Sequence, residues 1–267
     1  MILYNKYSQI GWGNVIMDTN NPLQKVSYIE KIIELSTYLK MSGNSELIEH
    51  SSEVAQLARM ILKNLKKSPV KIDDKTKNIM KYMDIDTLAD VYELHDLGKI
   101  FIPDEILNKP GRLNEQEFHY VYKHPENVKK VLDHHEFNEN SKAMQLLYDT
   151  TLLISMEHHE NFDGSGYPRH LKGEEISILG RIARVADVIS ALMGHRCYNR
   201  EFNSFESITN YLVKNKGALF DPHIVDIVVN NIENENRLSI TKKRILDVFD
   251  IRNEINKITK RINAKSR

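Results

Sequence analysis

Apolar residues recur at helical spacing along most of the chain. Residues 46–67 read ELIEHSSEVAQLARMILKNLKK, and apolar side chains three and four positions apart fall on one face of a helix. The same period predicts further helices at 23–40, 86–99, 141–159 and 177–194, with several more after residue 204. The alternation typical of strands is nearly absent, so the pattern predicts an all-α fold.

Turn and capping residues predict where several helices begin and end. Asn21 followed by Pro22 predicts the start of the first helix, and the SGNS turn around Gly43 predicts its end. Asn114 with Glu117 three positions later resembles a capping box and predicts another helix start. The segment IFIPDEILNKPGR contains two prolines and a glycine, which predict a loop.

Composition limits the classes of function. The chain has 267 residues, enough for a substantial core, and its 37 Lys plus Arg balance its 37 Asp plus Glu. A neutral chain gives no reason to expect adhesion to a nucleic-acid polymer or a membrane, so an anionic partner needs a local site. A single cysteine, Cys197, excludes an intramolecular disulfide framework. With no signal peptide and no apolar run of spanning length, we expect a cytoplasmic protein.

Ionisable residues extend the apolar stripes of four predicted helices. They are Glu46 and His50 one turn apart, His95 beside Asp96, the adjacent pair His158 and His159, and Asp187. A buried carboxylate or imidazolium without a partner costs several kcal/mol or changes its protonation state. One inward histidine is more often a satisfied core residue, but several on separate helices indicate a shared cation. Imidazoles and carboxylates without thiolates suit iron, manganese or zinc.

Five motifs together are typical of one family. They are HDLGK at 95–99, KHPE at 123–126, HHENFDGSGYP at 158–168, RIARVAD at 181–187 and GALFDPH at 217–223. With these motifs the chain resembles the HD-GYP family of cyclic-di-GMP phosphodiesterases, a branch of the HD metal-hydrolase superfamily. The resemblance implies an HD-domain helical bundle with a short N-terminal helical extension. It covers residues 44–235, which leaves an N-terminal helical segment at 1–43 and a C-terminal helix at 236–267.

The resemblance also implies the residues of the site. The ligands of a dinuclear metal centre match His95, Asp96, His124, His158, His159 and Asp187. Asp96 would bridge the two ions, and Glu46 and His50 match the extra ligands of members with a third ion. Iron is the expected metal, with manganese or zinc as alternatives. Residues that hold the substrate phosphate match Lys99, Tyr167 and Arg196.

Several alternatives remain open for single residues. Glu46 could cap its helix start, His124 could be a helix-end residue before Pro125, and Tyr167 could pack in its loop. The chain also departs from the family pattern: Glu53 stands where members usually carry Arg, and Ser190 stands where they often carry Asp. Neither departure removes a predicted metal ligand.

The implied activity is hydrolysis of cyclic di-GMP to linear pGpG by a hydroxide that the metals activate, with GMP as the alternative end product. The nearest alternative is another cyclic dinucleotide such as 3′,3′-cGAMP. A different class is a signalling module that binds the nucleotide, or a GGDEF-domain partner through the DGSGYP loop. Apolar residues of the C-terminal segment follow 3-4 spacing, which fits a helix docked on its own domain or a seam that pairs two chains in a homodimer.

Overall fold

The computed structural model describes residues 22–41, 44–135, 141–193 and 205–234. Within these ranges the chain forms eleven α-helices and no strand beyond an isolated bridge between Lys216 and Phe220. The helices are α1 Pro22–Met41, α2 Ser45–Asn64, α3 Asp74–Tyr82, α4 Ile85–Val91, α5 Asp104–Leu107, α6 Glu115–Tyr122, α7 His124–His134, α8 Lys142–Glu157, α9 Ile178–Met193, α10 Phe205–Lys214 and α11 Pro222–Asn234. The predicted all-α fold is confirmed.

Helix α2 lies at the centre of the core, where it packs against α4 and α9. Its predicted apolar stripe is buried, with Val54, Ala58 and Ile61 all at 0% exposure. Burying a Val or Ile side chain contributes about 1.5–3 kcal/mol, so the stripe determines which face of α2 turns inward. The same inward face carries His50.

Local capping fixes the starts of helices as the sequence predicts. The Asn44 side chain accepts a hydrogen bond from the Leu47 backbone N–H at 2.9 Å and begins α2. The predicted capping box of α6 is confirmed: Glu117 N–H donates to Asn114 Oδ1, and Asn114 N–H donates to Glu117 Oε2. These bonds satisfy amide groups that a helix start would otherwise leave without partners.

The region around His95 differs from the single helix predicted over 86–99. Helix α4 ends at Val91, and two short 3₁₀ segments follow at Tyr92–Leu94 and Leu97–Phe101. His95 and Asp96 lie in the turn between these segments. The second segment packs against α7 so closely that a Cβ on Gly98 would lie 2.0 Å from the His124 carbonyl oxygen. This tertiary contact overrides the helical period and sets the position of the His-Asp pair.

Two other predictions about organisation meet different outcomes. The segment predicted as a loop before residue 113 contains the short helix α5. Helix α1 buries Tyr28, Ile32, Leu35 and Leu39 in the same core as the other helices. The predicted C-terminal helix at 236–267 lies outside the described residues, and the boundary at 43 stays a prediction. No described helix is long and apolar enough to span a membrane.

Candidate metal centre

Five segments of the chain bring the predicted ligands together. His50 lies on α2, His95 and Asp96 in the turn after α4, and His124 at the first position of α7. His158 and His159 directly follow α8, and Asp187 lies on α9. His95, His124 and His158 are each no more than 1% exposed. The convergence predicted from separate helical stripes is therefore present.

The ligand atoms form two groups that meet at Asp96. His50, His95 and Asp96 form one group, and His124, His158 and His159 form the other; within each, the candidate ligand atoms lie within 4.8 Å of one another. Asp96 Oδ2 is 3.3 Å from His95 Nε2 and 3.7 Å from His50 Nε2. Asp96 Oδ1 is 3.1 Å from His124 Nε2 and 3.6 Å from His158 Nε2. Each carboxylate oxygen thus faces a different group, the arrangement that a bridging ligand requires.

Asp187 also touches both groups. Its Oδ1 lies 3.1 Å from His50 Nε2 and 4.0 Å from His95 Nε2. Its Oδ2 lies 3.9 Å from His159 Nδ1. Because the two aspartates present oxygens to all five histidines, the two groups form one continuous polar site rather than two separate ones.

Hydrogen bonds to backbone carbonyls orient three of the rings. The Nδ1 atoms of His95, His124 and His158 lie 2.9, 2.6 and 2.6 Å from the carbonyl oxygens of Tyr92, Val121 and Ser155. A carbonyl only accepts, so Nδ1 carries the proton and a neutral ring presents the Nε2 lone pair. Carbonyl bonds of this kind commonly hold metal-binding histidines in place.

The ring Nε2 atoms and Asp96 Oδ1 face one another as acceptors, an arrangement that suits a bound cation. The Nε2 atoms of His124 and His158 are 3.0 Å apart, so two lone pairs point at one another when both rings are neutral. His95 Nε2 and Asp96 Oδ1 are buried without a hydrogen-bond partner. Buried polar atoms without partners cost free energy, and a divalent ion between them would satisfy all of these groups. The site therefore fits divalent metal ions.

The electrostatics of the site point the same way. Burial would raise the pKa of Asp96, but Lys99 and His95 hold it well below its usual range. Burial lowers the pKa of His158 to about 4 and also lowers the pKa of His159, well below its usual range. Burial would lower the pKa of His95, but the Asp96 carboxylate raises it above its usual value. The site consequently offers an ionised Asp96 and neutral His158 and His159, the forms that bind metals.

The predicted substrate-binding residues have different placements. Lys99 Nζ lies 2.5 Å from Asp96 Oδ2 and adds a positive charge beside the ligands. The Tyr167 ring stacks on His159, with centroids 4.7 Å apart. Burial, together with the carboxylates of Asp96 and Asp187, raises the pKa of Tyr167 well above its usual range, so its hydroxyl remains a hydrogen-bond donor. Arg196 lies outside the described residues.

Glu46 and His50 lie one turn apart on α2 but differ in burial. His50 is buried in the first group of ligands, whereas Glu46 is exposed in the first turn of α2. The inward orientation predicted for Glu46 from the stripe is wrong, because the buried face of α2 begins at its neighbour Leu47 and leaves Glu46 exposed. A carboxylate there is favoured by the helix N-terminus without any metal.

Contacts of Glu160, Gly166 and Tyr122 hold the loop after His159. The Glu160 carboxylate accepts hydrogen bonds from the backbone N–H groups of Arg169 and Leu171 at 2.7 and 3.1 Å. A Cβ on Gly166 would lie 2.1 Å from the Asn161 nitrogen, so only glycine allows the loop to close this tightly. The Tyr122 ring also stacks on Tyr167, with ring centroids 3.9 Å apart. No local motif marks Tyr122, since its partner is 45 positions later in the chain.

Comparison with known proteins identifies the family. Residues 41–224 match the family described as HD domain. The chain belongs to the HD domain family. It is similar to a probable cyclic di-GMP phosphodiesterase of Vibrio cholerae serotype O1, at 38% identity over 64% of this chain and 37% of that protein. It is also similar to the 3′3′-cGAMP-specific phosphodiesterase 2 of the same organism, at 37% identity over 55% of this chain and 26% of that protein.

A solved structure agrees with the fold. It is described as an HDG"Y"P protein from Bdellovibrio bacteriovorus, and it superposes with a TM-score of 0.50 at 17% identity. The match covers 80% of this chain and 66% of that one. At this identity the likeness shows the fold alone. The family match and the curated relatives confirm the resemblance to HD-GYP proteins, although this chain spans only about a third of the length of the first two relatives.

Proposed function

We propose that this protein is a metal-dependent phosphodiesterase that hydrolyses cyclic di-GMP to linear pGpG, with GMP as the alternative end product. One observation carries the proposal: the two oxygens of Asp96 face two separate groups of buried histidines. A carboxylate shared in this way suits two neighbouring divalent ions, and such pairs are typical of enzymes that cleave phosphodiesters.

The side chains divide the work of such a reaction. Bound divalent ions, iron above all, would lower the pKa of water and polarise the phosphodiester. Two such ions against Asp96 and Asp187 leave a formal charge of about +2, which favours an anionic substrate. Lys99, beside Asp96, can stabilise negative charge that builds on a phosphate oxygen. Tyr167 lies against His159 and can donate its hydroxyl proton in a hydrogen bond to a phosphate oxygen.

The choice of substrate rests on the relatives. The chain is similar both to a protein named as a probable cyclic di-GMP phosphodiesterase and to one named as specific for 3′3′-cGAMP. The resemblance of the motifs favours cyclic di-GMP. Hydrolysis of 3′,3′-cGAMP is the second candidate, because the two relatives match at nearly equal identity.

Turnover by the purified chain tests this proposal. The protein would be loaded without oxygen with Fe²⁺, Mn²⁺ or Zn²⁺, its metal content measured, and its products from cyclic di-GMP, 3′,3′-cGAMP and cyclic di-AMP identified by mass spectrometry. We expect pGpG to form fastest, and no product from Asp96→Asn. Faster cleavage of 3′,3′-cGAMP would overturn the substrate. Nucleotide binding without cleavage by the metal-loaded protein would overturn the enzymatic function in favour of a binding module.

We also propose a third ion, a GGDEF-domain partner and a homodimer as further features. Glu46 is exposed one turn before the buried His50, so a third ion would bind at the outer edge of the site. Asp163 and Ser165 of the DGSGYP loop are exposed, which suits contact with another protein. Metal stoichiometry, pull-down with GGDEF domains and sedimentation of the full chain test these three features separately.

A further inference from the structure

We propose that Glu53 and Ser190 act together as positioning residues that make His50 a metal ligand. They do so by determining which ring nitrogen of His50 carries the proton. The inference rests on the metal centre of the proposed function. It concerns residues that the motifs do not assign to the site, and at which the chain departs from the family pattern.

The three side chains form a hydrogen-bonded row between α2 and α9. Ser190 Oγ lies 2.6 Å from Glu53 Oε2 and 2.9 Å from His50 Nδ1. Ser190 is 1% exposed and His50 is 9% exposed. These contacts join residues that are 137 and 140 positions apart in the chain.

The available protons determine which group donates and which accepts in each hydrogen bond of this row. Burial raises the pKa of Glu53, whereas the hydrogen bond from Ser190 lowers it. In its ionised form this carboxylate only accepts, so the single hydroxyl proton of Ser190 is donated to Glu53 at the shorter distance. The oxygen of Ser190 is then left to accept, and the hydrogen bond from His50 requires a proton on Nδ1. In a neutral ring, Nε2 is therefore unprotonated.

The unprotonated nitrogen points at the metal centre. His50 Nε2 lies 3.1 Å from Asp187 Oδ1 and 3.7 Å from Asp96 Oδ2. With the other tautomer, Nε2–H would donate to Asp187, and the ring would become a hydrogen-bond partner of that carboxylate instead of a ligand. Glu53 and Ser190 oppose this competing state by holding the ring proton on Nδ1, and a cation beside Asp187 then gains the His50 lone pair.

The position of His50 explains why side chains are needed here. His95, His124 and His158 lie at helix ends or turns, where backbone carbonyls accept from Nδ1. His50 lies inside α2, where backbone carbonyls accept helical hydrogen bonds instead. A hydroxyl from α9, oriented by a carboxylate on α2, supplies the acceptor that the backbone does not.

The test compares variants that change the hydrogen bonds of Glu53 and Ser190 but leave every candidate metal ligand in place. Glu53→Gln can donate its amide proton to Ser190, which frees the hydroxyl to donate to His50 Nδ1 and moves the ring proton to Nε2. Ser190→Ala removes the acceptor, and Ser190→Thr restores it. Glu49→Gln is the matched control, because it removes the same charge one turn earlier on α2 without contacting Ser190.

Two readouts separate positioning from general damage. Imidazole nitrogen NMR of the metal-free protein above pH 7.5 should show His50 with its proton on Nδ1 in the unmodified chain, and on Nε2 in Glu53→Gln. Calorimetric titration with Zn²⁺ should show a roughly 10- to 100-fold loss of affinity in Glu53→Gln and Ser190→Ala, as is typical of losing the partner of a metal-binding histidine. Ser190→Thr and Glu49→Gln should bind close to normally.

The proposal is overturned if the unmodified chain carries the proton on Nε2, or if Glu53→Gln changes neither the tautomer nor the affinity. It is also overturned if Glu49→Gln weakens Zn²⁺ binding as much as Glu53→Gln, since bulk charge would then explain the loss. Neither readout depends on hydrolysis. A chain that binds Zn²⁺ through this row but cleaves no cyclic dinucleotide would overturn the proposed function alone.

Discussion

The four consecutive residues Glu157 to Glu160 have two different environments. The two glutamates bind to donors of the protein, whereas the two histidines face the candidate metal centre. The oxygens of the two outer glutamates accept hydrogen bonds. Glu157 accepts from the Arg169 guanidinium at 2.6 Å and from Ser177 N–H and O–H at 2.9 and 2.5 Å. Glu160 accepts from two backbone N–H groups. The inner pair, His158 and His159, faces Asp96 and Asp187, and Asp96 Oδ1 is buried there without a hydrogen-bond partner.

The difference shows how a structural carboxylate can be distinguished from a metal-binding one. Each oxygen of Glu157 has a partner in the protein, so the cost of burial is offset and no ion is needed. Asp96 Oδ1 is equally buried but faces ring nitrogens that their backbone contacts turn into acceptors. Burial alone does not identify the site; the lack of matching donors does. Removing groups from the two clusters should therefore have separable effects on metal binding and on stability.

The largest effect is expected at the carboxylate between the two histidine groups. Asp96→Asn keeps the shape but removes the charge, so metal content should fall and turnover should drop by more than the roughly 10²–10³-fold typical of one lost electrostatic contact. A chelator lowers the melting temperature of a protein that binds its metal in the folded state, and this shift should disappear in the variant. Asp133→Asn, an exposed surface change, is the control. Near-native turnover by Asp96→Asn would refute the site.

A smaller effect is expected at the charge beside the ligands. Lys99→Met keeps the apolar stem but removes the ammonium group that contacts Asp96. Turnover should fall by about 10²–10³-fold at saturating metal, because negative charge developing on the phosphate loses its partner. Metal content should be retained, which distinguishes this variant from Asp96→Asn. Kinetics equal to those of a Lys129→Met surface control would assign Lys99 a structural role.

Substitution of Glu157, whose oxygens already have hydrogen-bond partners, should lower the stability of the protein without changing its metal binding. Glu157→Gln leaves Arg169 without its ion pair and Ser177 with a poorer acceptor, which should lower the free energy of unfolding by about 1–3 kcal/mol. Urea denaturation measures this loss, and metal stoichiometry at saturation should be unchanged. If Glu157→Gln kept its stability but lost metal, Glu157 would belong to the metal centre, and the distinction between structural and metal-binding carboxylates would be refuted.

The smallest effect is expected from the aromatic contact at the edge of the site. Tyr122→Ala removes the ring stacked on Tyr167, and such contacts contribute about 0.5–1.5 kcal/mol. KM for the cyclic dinucleotide should rise by about 2- to 10-fold with metal content unchanged. Tyr122→Phe keeps the stacked ring and should behave normally. Equal losses in both variants would point to the hydroxyl instead of the stack.

Local patterns predicted much of the site because metal-binding residues must share faces with the core. His50 and Asp187 continue apolar stripes, and those stripes are buried as predicted. The same extrapolation failed at Glu46, since periodicity shows the direction of a face but not where its packing partner ends. It also failed at His95, where contact of Gly98 with α7 breaks the predicted helix.

The sequence by itself determined the helical class, the apolar faces and, through its motifs, the family and the set of candidate ligands. These depend on neighbours within one or two helical turns or on short strings of residues, so they can be read without a fold. The tertiary structure decided which oxygen of Asp96 faces which histidine, which nitrogens lack donors, and that Glu53 reaches Ser190 across α2 and α9. Those contacts join residues far apart in the chain, and their hydrogen-bond directions depend on distances of a few tenths of an ångström, which no linear pattern encodes.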